Sequence, residues 1–175
     1  MAAAVILPRR GRPKGLDDSK QLTAEAREEL ALAIREIGIV GVGVASVEEI
    51  DAINILRAAH LAMKRAFEAL PQLPVAAIVD GNMAPDLPCP VECVVDGDVI
   101  VPIVSAASII AKVERDRMMM ELCAQFPGYG FSKHKGYGTP EHQESLARLG
   151  PCAIHRRSFK RVQEALEQQG RLRFA

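Results

Sequence analysis

Two aspartates stand where an open α/β sheet gathers its ligands. Val75-Ala76-Ala77-Ile78-Val79 and Val91-Glu92-Cys93-Val94-Val95 read as strands, the first running into Asp80-Gly81-Asn82 and the second into Asp96-Gly97-Asp98. Ligands of such sheets bind beyond the carboxyl ends of the strands. If the two strands are neighbours, the carboxylates of Asp80 and Asp98 enter one crevice and repel unless a cation lies between them. Hard oxygen donors suit Mg²⁺ or Mn²⁺, and such ions serve phosphoryl transfer by neutralising charge on both sides of the scissile bond. The plainer reading is that Asp-Gly pairs simply make turns.

Cations follow in two places. Between Ser105 and Asp116 a helix opens on small residues and carries Ser108, Lys112, Arg115 and Asp116 three or four apart, so they can share a face. That face can meet a nucleic-acid backbone, or it can be a solvated ion-pair row with Glu114 and Asp116. Further on, Phe131-Ser132-Lys133-His134-Lys135-Gly136-Tyr137-Gly138-Thr139 interleaves cations with an aromatic ring. There Lys133 and Lys135 can hold phosphates while Tyr137 stacks on a sugar or base; a solvated turn is the alternative. His155-Arg156-Arg157-Ser158, with Lys160 and Arg161, adds a second basic cluster. From Lys133 onward nine Lys and Arg (133, 135, 148, 156, 157, 160, 161, 171, 173) stand against four Glu (141, 144, 164, 167). Lys plus Arg and Asp plus Glu are 22 each over the whole chain, so the net charge is zero but sorted. That excludes a bulk polycation and favours one basic face over about 133–175.

The elements that must position these groups alternate between strand and helix. Ala2-Ala3-Ala4-Val5-Ile6-Leu7 reads as a buried strand and runs into a Pro- and Gly-rich loop, Pro8 to Gly15. Thr23 caps a helix with apolar positions Ala26, Leu30, Ala33, Ile34 and Ile37. Gly38 to Ala45 is a glycine-rich strand. Ser46 and Glu49 form a capping box, and one helix after it is expected to bury Ile50, Ile53, Leu56, Met63, Phe67 and Leu70. A long helix spans about Ser105 to Cys123, a Gly-, Tyr- and His-rich loop runs from Phe126 to Thr139, and Thr139-Pro140 starts a short helix that Gly150-Pro151 stops. The segment from Ile154 to Ala175 is basic and helical in its middle. The pattern is α/β with one sheet, in a single domain over 1–175.

Composition agrees with a globular chain: 49% apolar and 25% charged residues. No apolar run approaches the roughly 20 residues of a membrane span, and Met1 to Leu7 lacks a basic leader. Cys89, Cys93, Cys123 and Cys152 read as reduced thiols, which places the chain in the cytoplasm. Three signals rank low. Arg10-Gly11-Arg12-Pro13 matches the core of an AT-hook but arises easily by chance. Cys89 and Cys93 lack a partner pair at zinc-finger spacing. His60 is better read as an ordinary helix side chain than as a ligand.

In order and spacing, the segments resemble bacterial ribonuclease HII through almost the whole chain. The stretches that carry the resemblance are Gly15-Leu16-Asp17-Asp18-Ser19-Lys20-Gln21-Leu22, Glu49-Ile50-Asp51 with Asn54-Ile55-Leu56, Val79-Asp80-Gly81-Asn82 and Gly97-Asp98. They continue through Ser105 to Asp116, Phe126-Pro127-Gly128-Tyr129-Gly130-Phe131, His134 to Thr139 and Ile154 to Phe159. The resemblance implies an RNase H-like mixed sheet flanked by helices, with a basic helical C-terminal segment. It implies endonucleolytic cleavage of RNA in RNA–DNA hybrids, including single ribonucleotides in a DNA duplex, by a cytoplasmic enzyme expected to be a monomer. The cofactor would be Mn²⁺ or Mg²⁺ on a carboxylate cluster, with Asp80 as third and Asp98 as fourth acidic ligand. Tyr137 would pack on the sugar at the RNA–DNA junction. Lys20, Ser108, Lys112, Lys133, Lys135, Arg156 and Arg157 would meet the nucleic acid, and Asp116 is a further acidic candidate.

Two features depart from the family pattern. Asp96 precedes Gly97 where the family often has a basic residue. The family's first strand, ending in an Asp-Glu-Ala-Gly-Arg-Gly-type motif that supplies two more metal carboxylates, has no counterpart; Ala2 to Leu7 resembles the second strand. Two Mg²⁺ bring four positive charges, to which Asp80 and Asp98 return two negative ones, so the chain as written is expected to be poorly folded or inactive. A start codon placed too late would explain this, since the family often has Val before such an Ala run and a GTG codon can be read as initiator Met. A shortened paralogue that grips nucleic acid without cutting it, or an AT-hook-bearing accessory protein, would explain it differently.

Overall fold

The computed structural model describes residues 1–16 and 19–172; Asp17 and Asp18 of the matched loop and residues 173–175 of the basic tail lie outside them. The elements in chain order are β1 (Ala2–Ile6), α1 (Ala24–Ile37), β2 (Ile39–Gly43), α2 (Val47–Ile53), α3 (Ile55–Glu68), β3 (Ala77–Asp80), β4 (Val91–Val94), α4 (Gly97–Ile100), α5 (Pro102–Gln125), α6 (Phe131–His134), α7 (Pro140–Leu149) and α8 (Lys160–Leu172). They pack as two units, one of Met1–Ala45 with Ile55–Glu114 and one of Ser46–Asn54 with Arg115 onward.

In the first unit β1 pairs antiparallel with β2, matching Ala3 to Val42 and Val5 to Val40. The pleat sends alternate residues to opposite faces. Ala3, Val5, Val40 and Val42 pack on a core of Leu7, Ala31 and Ile34 with Ala106, Ile109, Ile110 and Val113 from α5. The opposite face presents Gly41 and Gly43 to α3, and here the glycine-rich sequence finds its reason. A Cβ on Gly41 would stand 2.1 Å from the carbonyl oxygen of Ala66, and one on Gly43 2.1 Å from that of Ala62. The α3 face in contact is itself small, with Ala58, Ala62 and Ala66 buried. Helix and strand meet backbone to backbone.

β3 and β4 form a parallel pair, matching Ala77 to Val91 and Asp80 to Val94. The strands therefore make two two-stranded ladders and not the single sheet expected from the alternation. Among the described residues no ladder joins β1 to β3. Both instead line a cavity of about 470 Å³ whose walls are apolar apart from Asp80, Asp98 and Ser108.

The caps are as the sequence predicts: Thr23 accepts from the Ala26 N–H at 3.2 Å, Ser46 and Glu49 close the capping box, and Thr139 accepts from the His142 N–H at 3.3 Å. The helix expected after Ser46 is two helices. Asn54, at φ 70° and ψ 166°, breaks it, in a region of backbone space that side-chain-bearing residues rarely enter. The break turns the apolar stripe, so Leu56 is exposed while Ala58 takes a core position. Ile37, expected in the α1 stripe, is likewise exposed, and Ala31 is buried instead. In the second unit Met119, Tyr129 and Phe131 form one small core, and Leu146 on α7 packs with Val162 and Ala165 on α8 in another. Short α6 lies inside the stretch expected to be loop.

The strand–helix contact makes a stability prediction. Gly41→Ala should lower the free energy of unfolding by about 3 kcal/mol, at the upper end of overpacking costs because the clash is with backbone. Gly138→Ala, with nothing within 4 Å of its Cβ, should change it by less than about 0.5 kcal/mol. Urea denaturation of the two variants checks both.

Candidate active site

The parallel register of β3 and β4 brings the two aspartates to one end of the ladder. Asp80 is the last residue of β3, as expected. Asp98 lies beyond the end of β4, in the first turn of the four-residue helix α4, so it is helical and not strand-terminal. Asp96, left-handed at φ 55°, turns the chain into α4. Asp80 Oδ1 accepts the N–H of Gly97 at 2.9 Å, which ties the strand end to the residue before Asp98. Both aspartates line the apolar cavity.

Asp98 is 6% exposed. Its backbone carbonyl accepts the Ser105 hydroxyl at 2.7 Å, and its Oδ2 faces Lys20 Nζ at 3.2 Å. A buried carboxylate is costly unless a cation meets it. The loop holding Lys20 is fixed for this purpose: Arg27 Nη1 donates to the carbonyls of Ser19 (2.9 Å) and Leu22 (2.6 Å), and Ser19 shares a 2.9 Å hydrogen bond with Ser108. This gives the motif around Lys20 a structural reason and places Ser108 under that loop. The Lys20 side chain is 76% exposed, and an ion pair with one solvated partner contributes only about 0.2–1 kcal/mol. A divalent cation, with twice the charge, could displace it. The donor set of two carboxylates on one wall fits a hard divalent ion. No group of three or more His, Cys, Asp or Glu able to hold a metal occurs among the described residues.

Along α5, Glu114 pairs with Arg35 at 2.9 Å, while Lys112 and Asp116 are half-buried. The row of charges is therefore not a purely solvated one. Arg115, in the second unit, donates to the Lys135 carbonyl at 2.9 Å and lies 6.0 Å from the centre of the Tyr137 ring. The Tyr137 side chain is exposed. Lys133 pairs with Glu141 at 3.0 Å, and Lys135, left-handed at φ 49°, donates to the Ser132 carbonyl. Arg156 lies 5.0 Å from the Phe159 ring centre.

The turn through Arg157 is held by Asp51, a residue without a role in the sequence reading beyond its place in a matched motif. Its carboxylate accepts the N–H groups of Arg157 (2.8 Å) and Ser158 (3.0 Å) together with the Ser158 hydroxyl. That is why an Asp follows Glu49-Ile50: it organises a basic turn more than 100 positions away. Sequence offers no local signal for such a pairing. The AT-hook-like stretch is a local turn, in which Arg12 Nε donates to the Pro8 carbonyl at 3.0 Å. All four cysteines are free, and no described helix is long and apolar enough to cross a membrane.

Solved structures share this architecture. Ribonuclease H2 from Pyrococcus horikoshii matches with a TM-score of 0.67 and 25% identity over 96% of this chain and 98% of that one. RNase HII from Archaeoglobus fulgidus, solved in a complex with PCNA, matches with 0.69 and 28% over 93% and 87%. An RNase HIII solved with Mn²⁺ shares the fold at 0.67 and 23%, covering 90% of this chain and 59% of that one. The fold is thus that of the type 2 ribonucleases H. Within that class the family model of ribonuclease HII matches residues 1–162, and the chain belongs to the ribonuclease HII family. Ribonuclease HII of Rhizorhabdus wittichii is 56% identical over 162 residues, 93% of this chain and 80% of that protein. That of Parvibaculum lavamentivorans is 53% identical over 167 residues, and this chain spans 62% of its length.

The Asp51 clamp has a pH signature. Hydrogen bonds from Ser158 hold the carboxyl below the usual aspartate range. The clamp is therefore complete at neutral pH and is lost only as pH falls through that depressed value. The amide resonances of Arg157 and Ser158 should titrate with a midpoint below that of an ordinary aspartate. Asp51→Ala should abolish that titration.

Proposed function

We propose that this chain is the metal- and hybrid-binding body of an endonuclease that cuts the RNA strand of RNA–DNA hybrids, including single ribonucleotides embedded in a DNA duplex. The observation that carries this is the buried Asp98 beside Asp80 on one cavity wall, met by an exposed, displaceable lysine. Mn²⁺ or Mg²⁺ held by Asp80 and Asp98 would supply charge neutralisation at the phosphate and an activated water. Asp80 keeps the α4 turn in place through Gly97 while Asp98 presents its carboxylate. Lys20, displaced from Asp98, would turn to a phosphate oxygen.

In the second unit the exposed ring of Tyr137 offers a stacking surface for a sugar, with Lys133, Lys135, Arg156 and Arg157 meeting backbone phosphates; in the first unit Ser108 and Lys112 on α5 would meet nucleic acid as well. Asp116 is a further acid on the same helix. Residues 1–175 would act as one nuclease domain, monomeric and cytoplasmic, as the free thiols support.

Among the described residues two carboxylates line the cavity, which do not balance two divalent ions, so two-metal hydrolysis would draw on further acids. The apolar cavity lined by β1 and β3 suits an extended segment paired to both strands, and a strand ending in the family's Asp-Glu motif would bring its acids to Asp80 and Asp98. By this reading residues 1–175 by themselves would bind a hybrid without cutting it. The same two-carboxylate count favours the second reading, a nucleic-acid-binding protein without cleavage.

The test uses a duplex carrying one ribonucleotide, with Mn²⁺ present. The chain as written should bind without cleaving. Extended at its N-terminus by such a strand, it should cleave, leaving a 3′-hydroxyl on one product. Cleavage should disappear with EDTA and fall about 10²-fold or more in Asp80→Asn. Binding without any cleavage by the extended protein would establish the second reading.

A further inference from the structure

Three histidines that the proposed chemistry does not use meet beneath the Tyr137 loop. His134 lies on α6, His142 on α7 and His155 in the turn after α7. The rings of His134 and His142 stack at 4.3 Å and 12°, and Phe131 sets its ring edgewise to both. His142 Nε2 and His155 Nε2 are 3.1 Å apart. Two nitrogens that close need one donor and one acceptor.

Their other partners decide which is which. His142 Nδ1 is 2.9 Å from the Tyr137 carbonyl oxygen, which can only accept, so Nδ1 carries the proton and Nε2 of the neutral ring is a lone pair. His155 must then donate from Nε2. Its Nδ1 is left to accept, and the Cys152 N–H lies 3.1 Å from it with the Cys152 Sγ at the same distance. His134 is ordered in the same way, donating from Nε2 to the Tyr129 carbonyl at 2.7 Å and accepting the Gly136 N–H on Nδ1 at 3.2 Å. Every ring nitrogen has a partner, and the two bonds accepted within the pair, on His142 Nε2 and on His155 Nδ1, require a lone pair there.

We propose that Cys152, His155 and His142 form a proton-ordered latch that holds the Tyr137 backbone, with His142 and His155 as positioning residues for the Tyr137 ring, and that one added proton opens it. A proton on His142 Nε2 turns the acceptor of the 3.1 Å contact into a second donor, while one on His155 Nδ1 removes the acceptor for Cys152 and charges a buried ring. The groups facing the pair are His134, Tyr129 and Cys152. Arg115 faces Tyr137, and the Lys133–Glu141 ion pair is solvent-exposed. Among the described residues neither histidine has a carboxylate hydrogen-bond partner that would favour its charged form. Burial and the neighbouring His142 push the His155 ring down to about 4, and burial lowers His142 as well. Both rings are neutral at pH 7, and the latch is lost as pH falls below an ordinary histidine's value.

The inference takes from the proposed function only the role of the Tyr137 ring, and its test stands apart. Long-range ¹H–¹⁵N spectra at pH 7 should show protons on His142 Nδ1, His155 Nε2 and His134 Nε2; a proton on His155 Nδ1 would overturn the latch. Protection of the Tyr137 and Thr139 amides should fall about tenfold or more in His142→Phe, which keeps a ring but loses the donor. His142→Asn, whose side-chain amide takes the place of Nδ1–H, should restore protection and carry it unchanged into acid, where the parent loses it. His155→Gln, which keeps the donor to His142, should likewise hold the loop. Unchanged protection in His142→Phe, or no rescue by either amide, removes the latch. A latch that opens in acid without altering duplex affinity upholds this inference and takes Tyr137 out of the binding surface.

Discussion

The first unit turns on a carboxylate kept out of water. Burying Asp98 would be prohibitive alone, and much of the surrounding structure answers that cost. Ser105 engages its carbonyl, Asp80 braces the residue before it, and Lys20 brings the neutralising charge. Lys20 reaches it because Arg27 and Ser108 fix the loop it rides on. Weakness is part of the arrangement. The lysine is mostly solvated, so the positive charge beside Asp98 is exchangeable while the carboxylate itself is held.

The glycine-rich face of the β1–β2 ladder plays the complementary part of rigid support. Gly41 and Gly43 let α3 lie against the strand backbone, and Ala58, Ala62 and Ala66 complete a contact with no long side chain in it. Such a contact has little room to slide, because small displacements collide with main-chain atoms. The opposite face carries the aliphatic core that α1 and α5 share. α5 therefore has its inner surface fixed where Ser108 meets the Lys20 loop.

Much of this was readable from local chemistry. Thr23, the Ser46–Glu49 pair and Thr139-Pro140 announced their helices because a cap is a matter of a few adjacent residues. The Asp80 strand end and the ribonuclease HII resemblance were readable for the same reason. What escaped depends on distance or on a single dihedral. The three- and four-residue spacing of apolar side chains runs straight through Asn54, so the break and the exposure of Leu56 were invisible. The separation into two ladders depends on which strands meet in space. Asp51 and the Arg157 turn, or Arg115 and Lys135, are partners that no spacing rule connects, and the histidine network needed three elements folded around Phe131.

The chain leaves one unit for the other after Ala45, comes back after Asn54 and leaves again after Glu114. Neither unit is an uninterrupted stretch of sequence. Splitting the gene at any single codon would sever at least one of them, so the halves could not be expressed as separate folded pieces.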